Sequence, residues 1–333
     1  MKYRSRLSRL FFFALFLWVS LATAFGQHLI GSVAVGDEPR GVAVNPFTGF
    51  IYVANVHSGT MSVLRKNAQT ATFPVDTLPF VVAVNPKTNR VYAAGCNFLT
   101  GAGSMVVVID GKTNQVLEDI SLNNTCSLGT QGIAVNPFTN RVYVSDYDDS
   151  QEVVIDGSTN QIVARVDLAG GLPLGVAVDL AANQVWITLD GPLSKVDIVD
   201  GASNTLVDTV AVTSDNVFVE GVAINSITHR AYVSSTSTPV GVYVLNTSTR
   251  ETIADIQFGQ FANCVDVDPL SNLVFVTDGG ANTVTVIDGK SNQIVSTVAL
   301  NGAFPSGVAA NPVTQLVYVT DFSSDLVEIM TEK

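Results

Sequence analysis

Gly132-Ile-Ala-Val-Asn-Pro-Phe-Thr139 runs straight into Asn140-Arg-Val-Tyr-Val-Ser-Asp146, and the pair reads as two short strands joined by a tight turn. The turn is Asn136 to Asn140, where proline fixes one φ angle and Asn or Thr side chains bond neighbouring backbone. The second run is rich in Val and Tyr, residues that suit a pleated, packed strand. The phrase returns as Gly41-Val-Ala-Val-Asn-Pro-Phe-Thr, Val81-Val-Ala-Val-Asn-Pro-Lys-Thr, Gly175-Val-Ala-Val-Asp, Gly221-Val-Ala-Ile-Asn, Cys264-Val-Asp-Val-Asp-Pro and Gly307-Val-Ala-Ala-Asn-Pro-Val-Thr. Start-to-start spacings are 40, 51, 43, 46, 43 and 43 residues. A period in the forties, with several β-branched runs per unit and no helical periodicity, marks seven four-stranded blades of a β-propeller.

The third unit serves as template. Its strands are expected at 132–135, 141–145, 151–155 and 161–168, the last alternating polar and apolar as an outer edge strand does. The first is nearly continuous in Val, Ala and Ile, which predicts the most buried strand, at the centre of the ring. The last unit supplies only three strands, 307–310, 316–320 and 326–330, before the chain stops. His28-Leu-Ile-Gly-Ser-Val-Ala-Val-Gly36 reads like the fourth strand of another unit and supplies the missing one. The expected fold is therefore all-β, a seven-bladed propeller of antiparallel blades, closed by an N-terminal strand that completes the last blade. Residues 27–333 form one domain on this reading.

Ahead of the repeats, Lys2, Arg4, Arg6 and Arg9 precede an uncharged run from Leu10 to Ala22 and the small-residue site Ala22-Thr23-Ala24. That is the pattern of a secretory signal peptide, residues 1–26, and the run falls short of the roughly 20 apolar residues a span needs. The expected location is secreted or periplasmic, with no integral span after cleavage. Of 17 basic and 29 acidic residues, four basic ones lie in the leader, so the remainder carries a net charge of −16. Such an acid excess argues against a nucleic-acid or anionic-membrane partner, both of which are held mainly by clustered Lys and Arg.

Tyr143-Val-Ser-Asp, Phe275-Val-Thr-Asp, Tyr318-Val-Thr-Asp and Tyr52-Val-Ala-Asn resemble the repeat after which the YVTN family of β-propeller proteins is named. The Ile-Asp-Gly-x-Thr/Ser-Asn phrases at Asp110, Asp156 and Asp288 are similar to that family's third-to-fourth-strand turn. The resemblance covers essentially the whole chain after the leader. It implies an exported seven-bladed propeller, a fold shared by lactonases, lyases and pure binding scaffolds, so it does not choose a function.

The residues just before each inner strand should line one mouth of the central channel: Arg40, Phe80, Gln131, Leu174, Glu220, Asn263 and Ser306. They differ chemically while the frame around them repeats, the form of a scaffold with a heterogeneous binding surface; tolerance of change at loop ends would look the same. A second ring, at the ends of the second strands, holds Asn55, Gly95, Asp146, Asp278 and Asp321, with Asp190 displaced by one. Carboxylates there suit a hard cation or, more prosaically, turn capping. No metal site and no cofactor are expected. The Asp-Gly phrases read as hairpin turns on the opposite face.

Only His28, His57 and His229 exist, and His57 alone reaches the candidate face, so a multi-histidine metal site or a Ser-His-Asp triad is not supported. Cys96 and Cys126 fall in neighbouring loops of one face and read as a disulfide in an exported protein; Cys264 starts an inner strand as a small buried hydrophobe. The leading expectation is a non-enzymatic binding or scaffold propeller engaging a small molecule, peptide or cell-surface protein through Arg40, His57, Phe80, Gln131, Asp146, Glu220, Asn263, Asp278, Ser306 and Asp321. The alternatives are a lactonase-like or lyase-like enzyme, with Glu220 or His57 as base and Arg40 stabilising an anion, and a purely structural extracellular module.

Overall fold

The computed structural model describes residues 26–97, 101–123, 125–191, 194–214 and 216–333. The expected leader lies outside these residues, apart from Gly26. Twenty-eight strands form seven four-stranded antiparallel sheets, and the described residues include no helix. Blades one to six span 39–74, 78–121, 130–167, 172–211, 219–257 and 262–299, each ordered from inner to outer edge as the chain runs. Blade seven takes its inner three strands from 305–331 and its outer strand from Leu29–Ala34, which pairs antiparallel with Leu326–Thr331. The N-terminal strand thus completes the last blade.

The core is a set of slabs between neighbouring blades. Each of the seven interfaces has its own apolar cluster, such as Tyr52, Met61 and Val63 of blade one against Val91, Val107 and Ile109 of blade two. The interface between blades seven and one is built the same way, from Tyr318, Val327 and Ile329 against Ile51, Val53 and Leu64. The second and third strands bear these contacts on both faces and are the most buried, as in Phe50–Asn55, where Ile51, Tyr52 and Val53 have no exposed surface. This corrects the expectation for the inner strands: most are only half-buried, because one edge of each looks into the channel rather than at a packed neighbour, though Pro305–Asn311 of blade seven is almost wholly buried.

Tyrosines of the second strands pack their hydroxyls against the Asp-Gly turn of the next blade, and one of them bonds it. The Tyr52 hydroxyl donates to the carbonyl of Gly111 in the next blade, at 3.0 Å. At Gly111, Gly157, Gly201 and Gly289 a Cβ would lie only 2.5–2.9 Å from the hydroxyl of Tyr52, Tyr92, Tyr143 or Tyr232. The glycine of the Asp-Gly phrase therefore makes room for the preceding blade, and its φ is not positive. The left-handed residue of the turn is the asparagine three positions on, Asn114, Asn160, Asn204 or Asn292, at φ 55–59°. Asp opens the turn as a cap: Asp110 Oδ1 accepts N–H bonds from Lys112 and Thr113 at 2.8 and 3.1 Å. On the same face asparagines link inner turns from blade to blade, as where Asn45 Nδ2 donates to Asn89 Oδ1 and Asn85 Nδ2 to Asn140 Oδ1, both at 2.7 Å.

Candidate functional site at the channel mouth

All seven inner strands share one irregularity near their N-terminal ends. Pairing with the second strand slips at Pro39/Val42, Pro79/Val81, Thr130/Gly132, Pro173/Val176, Val219/Val222, Ala262/Val265 and Pro305/Val308. Two inner-strand residues there oppose one on the partner, which is a β-bulge, and a bulge re-aims a side chain. Arg40, Phe80, Gln131, Leu174, Glu220, Asn263 and Ser306 each stand at this point, inside the strand rather than just before it as expected from sequence. All seven line a single cavity of about 200 Å³ at the channel mouth.

The residue after each bulged position is glycine in five blades, because neighbouring inner strands touch there. A Cβ on Gly132 would lie 2.2 Å from the Leu174 carbonyl oxygen, and one on Gly307 would lie 2.3 Å from that of Arg40. Opposite the bulge, four blades place a Ser or Thr whose hydroxyl stitches the seam. Thr188, Ser234 and Thr320 donate to the carbonyls of Glu220, Asn263 and Arg40 in the following blade, at 2.5, 2.6 and 2.7 Å, and Thr277 shares its one proton between Asn263 Oδ1 at 2.7 Å and the Ser306 carbonyl of the following blade at 3.0 Å. In those four blades this is the physical role of the Ser/Thr: it holds the backbone that carries the next channel-mouth side chain, whereas Ser145 of Tyr143-Val-Ser-Asp donates instead to Glu152 Oε2 at 3.0 Å.

Within the ring, Arg40 Nη2 donates to Gln131 Oε1 at 2.9 Å, and its guanidinium lies 5.3 Å from the Phe80 ring centroid. Gln131 is held in turn by a bond from Nε2 to the Leu128 carbonyl. Burial lowers the Arg40 pKa from its ordinary value, and the charge of Glu220 opposes that shift. Burial raises the Glu220 carboxyl above its usual range, with Arg40 pulling it down and Asp190 pushing it up. Asn263 is locked, its Oδ1 accepting from Thr277 Oγ1 at 2.7 Å and its Nδ2 donating to the Pro305 carbonyl at 3.3 Å. Cys264 also lines the cavity; burial pushes its thiol up to about 11, so it stays a neutral thiol rather than a nucleophile.

The second predicted ring does not join this one. Asp146, Asp278 and Asp321 are fully buried and absent from the cavity wall. Asp278 is a turn cap, its Oδ1 accepting from Gly280 and Ala281 and its Oδ2 from Gln260 N–H at 2.7 Å. Asp146 accepts two bonds from Asn123 Nδ2, and burial raises it to about 6. His57 is exposed in the loop after the second strand of blade one, outside the cavity lining. His229 fills a left-handed turn position on the far face, at φ 54°. No group of three or more His, Cys, Asp or Glu side chains suited to a metal ion occurs among the described residues. Cys96 and Cys126 form a disulfide, Cα atoms 5.7 Å apart; Cys96 lies within the second strand of blade two, Arg90–Asn97, rather than in the loop after it as expected from sequence, so the bridge ties the end of that strand to the connection into blade three. Sequence reasoning missed Cys264 as a wall of the cavity; its place in the position otherwise held by glycine was the available signal.

These features define a seven-bladed β-propeller with a polar, chemically uneven channel mouth. Among known proteins, the chain is 25% identical over 232 residues to the uncharacterised protein YncE of Salmonella typhi, and equally to the YncE protein of Salmonella typhimurium. Each match covers 67% of this chain and 63% of the relative, so the aligned part is a little under two thirds of those proteins' length. No family model matches the chain.

Proposed function

We propose that this chain is an exported binding propeller of the YVTN kind, taking a small ligand with an anionic and a cationic or hydrogen-donating end at the channel mouth. The observation that carries this reading is the ring of seven bulges, which aims seven different side chains at one cavity. Arg40 from blade one and Glu220 from blade five stand about half a ring apart, with Phe80, Leu174 and Gln131 between them. Arg40 offers a planar donor fork for a carboxylate, and Glu220 accepts from an ammonium or hydroxyl group. A cavity of about 150 Å³ suffices to hold benzene, so about 200 Å³ suits an amino acid, a sugar acid or one residue of a peptide. The disulfide supports export, since such bridges persist in oxidising compartments, and no helix of the described residues is long and apolar enough to cross a membrane.

One observation favours a second reading, a lactonase-like or lyase-like enzyme: Glu220 is held above the usual carboxylate range inside the cavity, as a general acid or base is. Titration calorimetry with amino acids, sugar acids and short peptides tests both. A binder loses affinity by tenfold or more on Arg40→Ala and shows no turnover, whereas an enzyme loses turnover on Glu220→Gln at nearly unchanged affinity. Heat of binding from none of these ligands, or binding indifferent to both substitutions, refutes the site.

A further inference from the structure

We infer that the far face of the ring, at the opposite end of the channel from the cavity, is a docking surface for a bilayer with anionic headgroups. This face is formed by the turns between first and second strands of every blade and between third and fourth strands of blades one to six. The tips of the inner turns are apolar and stand in solvent: Phe47 is 73% exposed, Phe138 69%, Ile227 66%, Leu270 71% and Val313 65%, with Leu180 of blade four at 41% one position earlier. Single exposed apolar residues are ordinary, but a ring of them at one structural position is not. The fold does not demand them. Blade two carries Lys87 at the same tip and forms the same turn, with Asn85 Oδ1 accepting from the Lys87 N–H at 3.0 Å as Asn45 Oδ1 does from Phe47.

Charge is sorted along the channel axis. Residues 26–333 contain thirteen Lys and Arg, and ten of them lie in far-face turns or at the strand ends beside them; the other three are Arg40, Arg165 and Lys195. Eight of the 29 acidic residues share that face, and three of these, Asp179, Asp268 and Glu332, are buried. The other described residues therefore set three basic residues against 20 acidic ones. The chain's overall acidity hides one face with a small basic excess, ten basic residues against eight acidic, of which Arg141 and Arg250 are ion-paired with Asp156 and Asp208, and an anionic surface would attract that end and repel the mouth. The two signals are interleaved: Lys87 Nζ sits 3.7 Å from the Phe138 ring centroid, while Lys66, Lys112 and Lys290 project from the outer turns around the apolar tips.

A lipid surface fits this pattern better than a second copy of the chain. Separate apolar knobs on a rigid frame match a soft interface into which each can sink, with basic side chains at headgroup level. A second copy meeting the same face would oppose like charges, and one meeting it with its mouth offers a single cavity for several knobs. The test is flotation with vesicles of phosphatidylglycerol and phosphatidylcholine in equal parts, against phosphatidylcholine alone. The protein is used as recovered from expressing cells, so that parent and variants share one N-terminus. The parent should partition at least tenfold more strongly onto the anionic vesicles and lose that preference in high salt. Phe47→Ser/Phe138→Ser/Leu270→Ser and, separately, Lys112→Glu/Lys290→Glu should each weaken binding on the order of tenfold or more, since each basic residue near an anionic surface is worth about a fivefold factor. Phe304→Ser, on the mouth face, should leave it unchanged. Unaltered melting confirms that each variant is folded. No flotation, flotation indifferent to these substitutions, or assembly without vesicles that the same substitutions abolish would each overturn the proposal, the last in favour of a second copy.

Discussion

Replacing Thr320 by valine should weaken the ring at the seam where the two ends of the repeat array meet. The Thr320 side chain has no exposed surface. Its hydroxyl accepts the Gly307 N–H and donates to the Arg40 carbonyl, both at 2.7 Å, so it satisfies a bulged strand and the neighbouring blade together. Valine keeps the shape and removes the hydroxyl, leaving a donor and an acceptor without partners in a place water does not reach. Each such orphan costs about 1–3 kcal/mol, so the substitution should cost about 2–6 kcal/mol. At roughly 2 °C per kcal/mol for a domain of this size, that is a fall in Tm of about 4–12 °C. Thr320→Ser is the control, because Ser234 performs the same double bonding in blade five, and it should cost less than about 1 kcal/mol. Denaturant titration of parent, Val and Ser variants measures all three. A Val variant within about 0.5 kcal/mol of the parent, or a Ser variant as damaged as Val, would refute the stitching role.

Gly49→Asn should stabilise the fold by about 0.5–1.5 kcal/mol, measured by the same titration. Asn311 Nδ2 is buried without a partner, and where other inner turns carry an asparagine to receive it, blade one has Gly49 at φ 71°, a conformation asparagine tolerates. Reducing the Cys96–Cys126 bridge, or replacing both residues by serine, opens a loop of separation 30 and should cost about 3–4 kcal/mol of unfolding free energy. Stability should also fall as pH rises from about 5 to 8, seen as a declining Tm. Burial raises Asp146, Asp266 and Asp321 to about 6, and burial beside Asp268 raises Glu332 to about 8. A carboxyl with a raised pKa favours the fold fully below its unfolded value, near 4, and loses that contribution as pH climbs through its folded value. Glu332→Gln should flatten the upper part of the decline. Below about pH 4 the trend reverses, since Asp110, Asp200 and Asp288 are held low by turn hydrogen bonds, and Asp156 by Arg141 and then its turn, all of which protonation weakens.

The blades were legible because a recurring Gly-Val-Ala-Val-Asn-Pro phrase needs no knowledge of what packs against what. The observed third blade has strands Thr130–Asn136, Arg141–Asp146, Gln151–Asp156 and Gln161–Asp167, within two residues of the expected ends. The mouth ring was legible for a related reason: a varied position inside a constant frame stands out. What the sequence withheld was anything decided between blades. Gly157 looks like half of a hairpin signal until Tyr92 of the preceding blade is placed against it. Asp278 looks like a rim carboxylate until the Gln260 and Phe261 amides are seen to turn onto it. The basic far face was hidden by arithmetic, because a total charge sums residues that the antiparallel strands send to opposite ends.

The pairing of Leu29–Ala34 with Leu326–Thr331 has a consequence for how the molecule comes into being. During synthesis, blades one to six can assemble in turn as they emerge, but they form an open arc whose two end blades have bare apolar flanks. Neither flank is covered until the segment 305–331 is in place and meets the strand Leu29–Ala34. Closing the ring therefore joins two strands about 300 residues apart along the chain, a contact of high loop-closure cost. An incomplete arc with sticky ends is the species that holding chaperones would have to protect and that proteases would find.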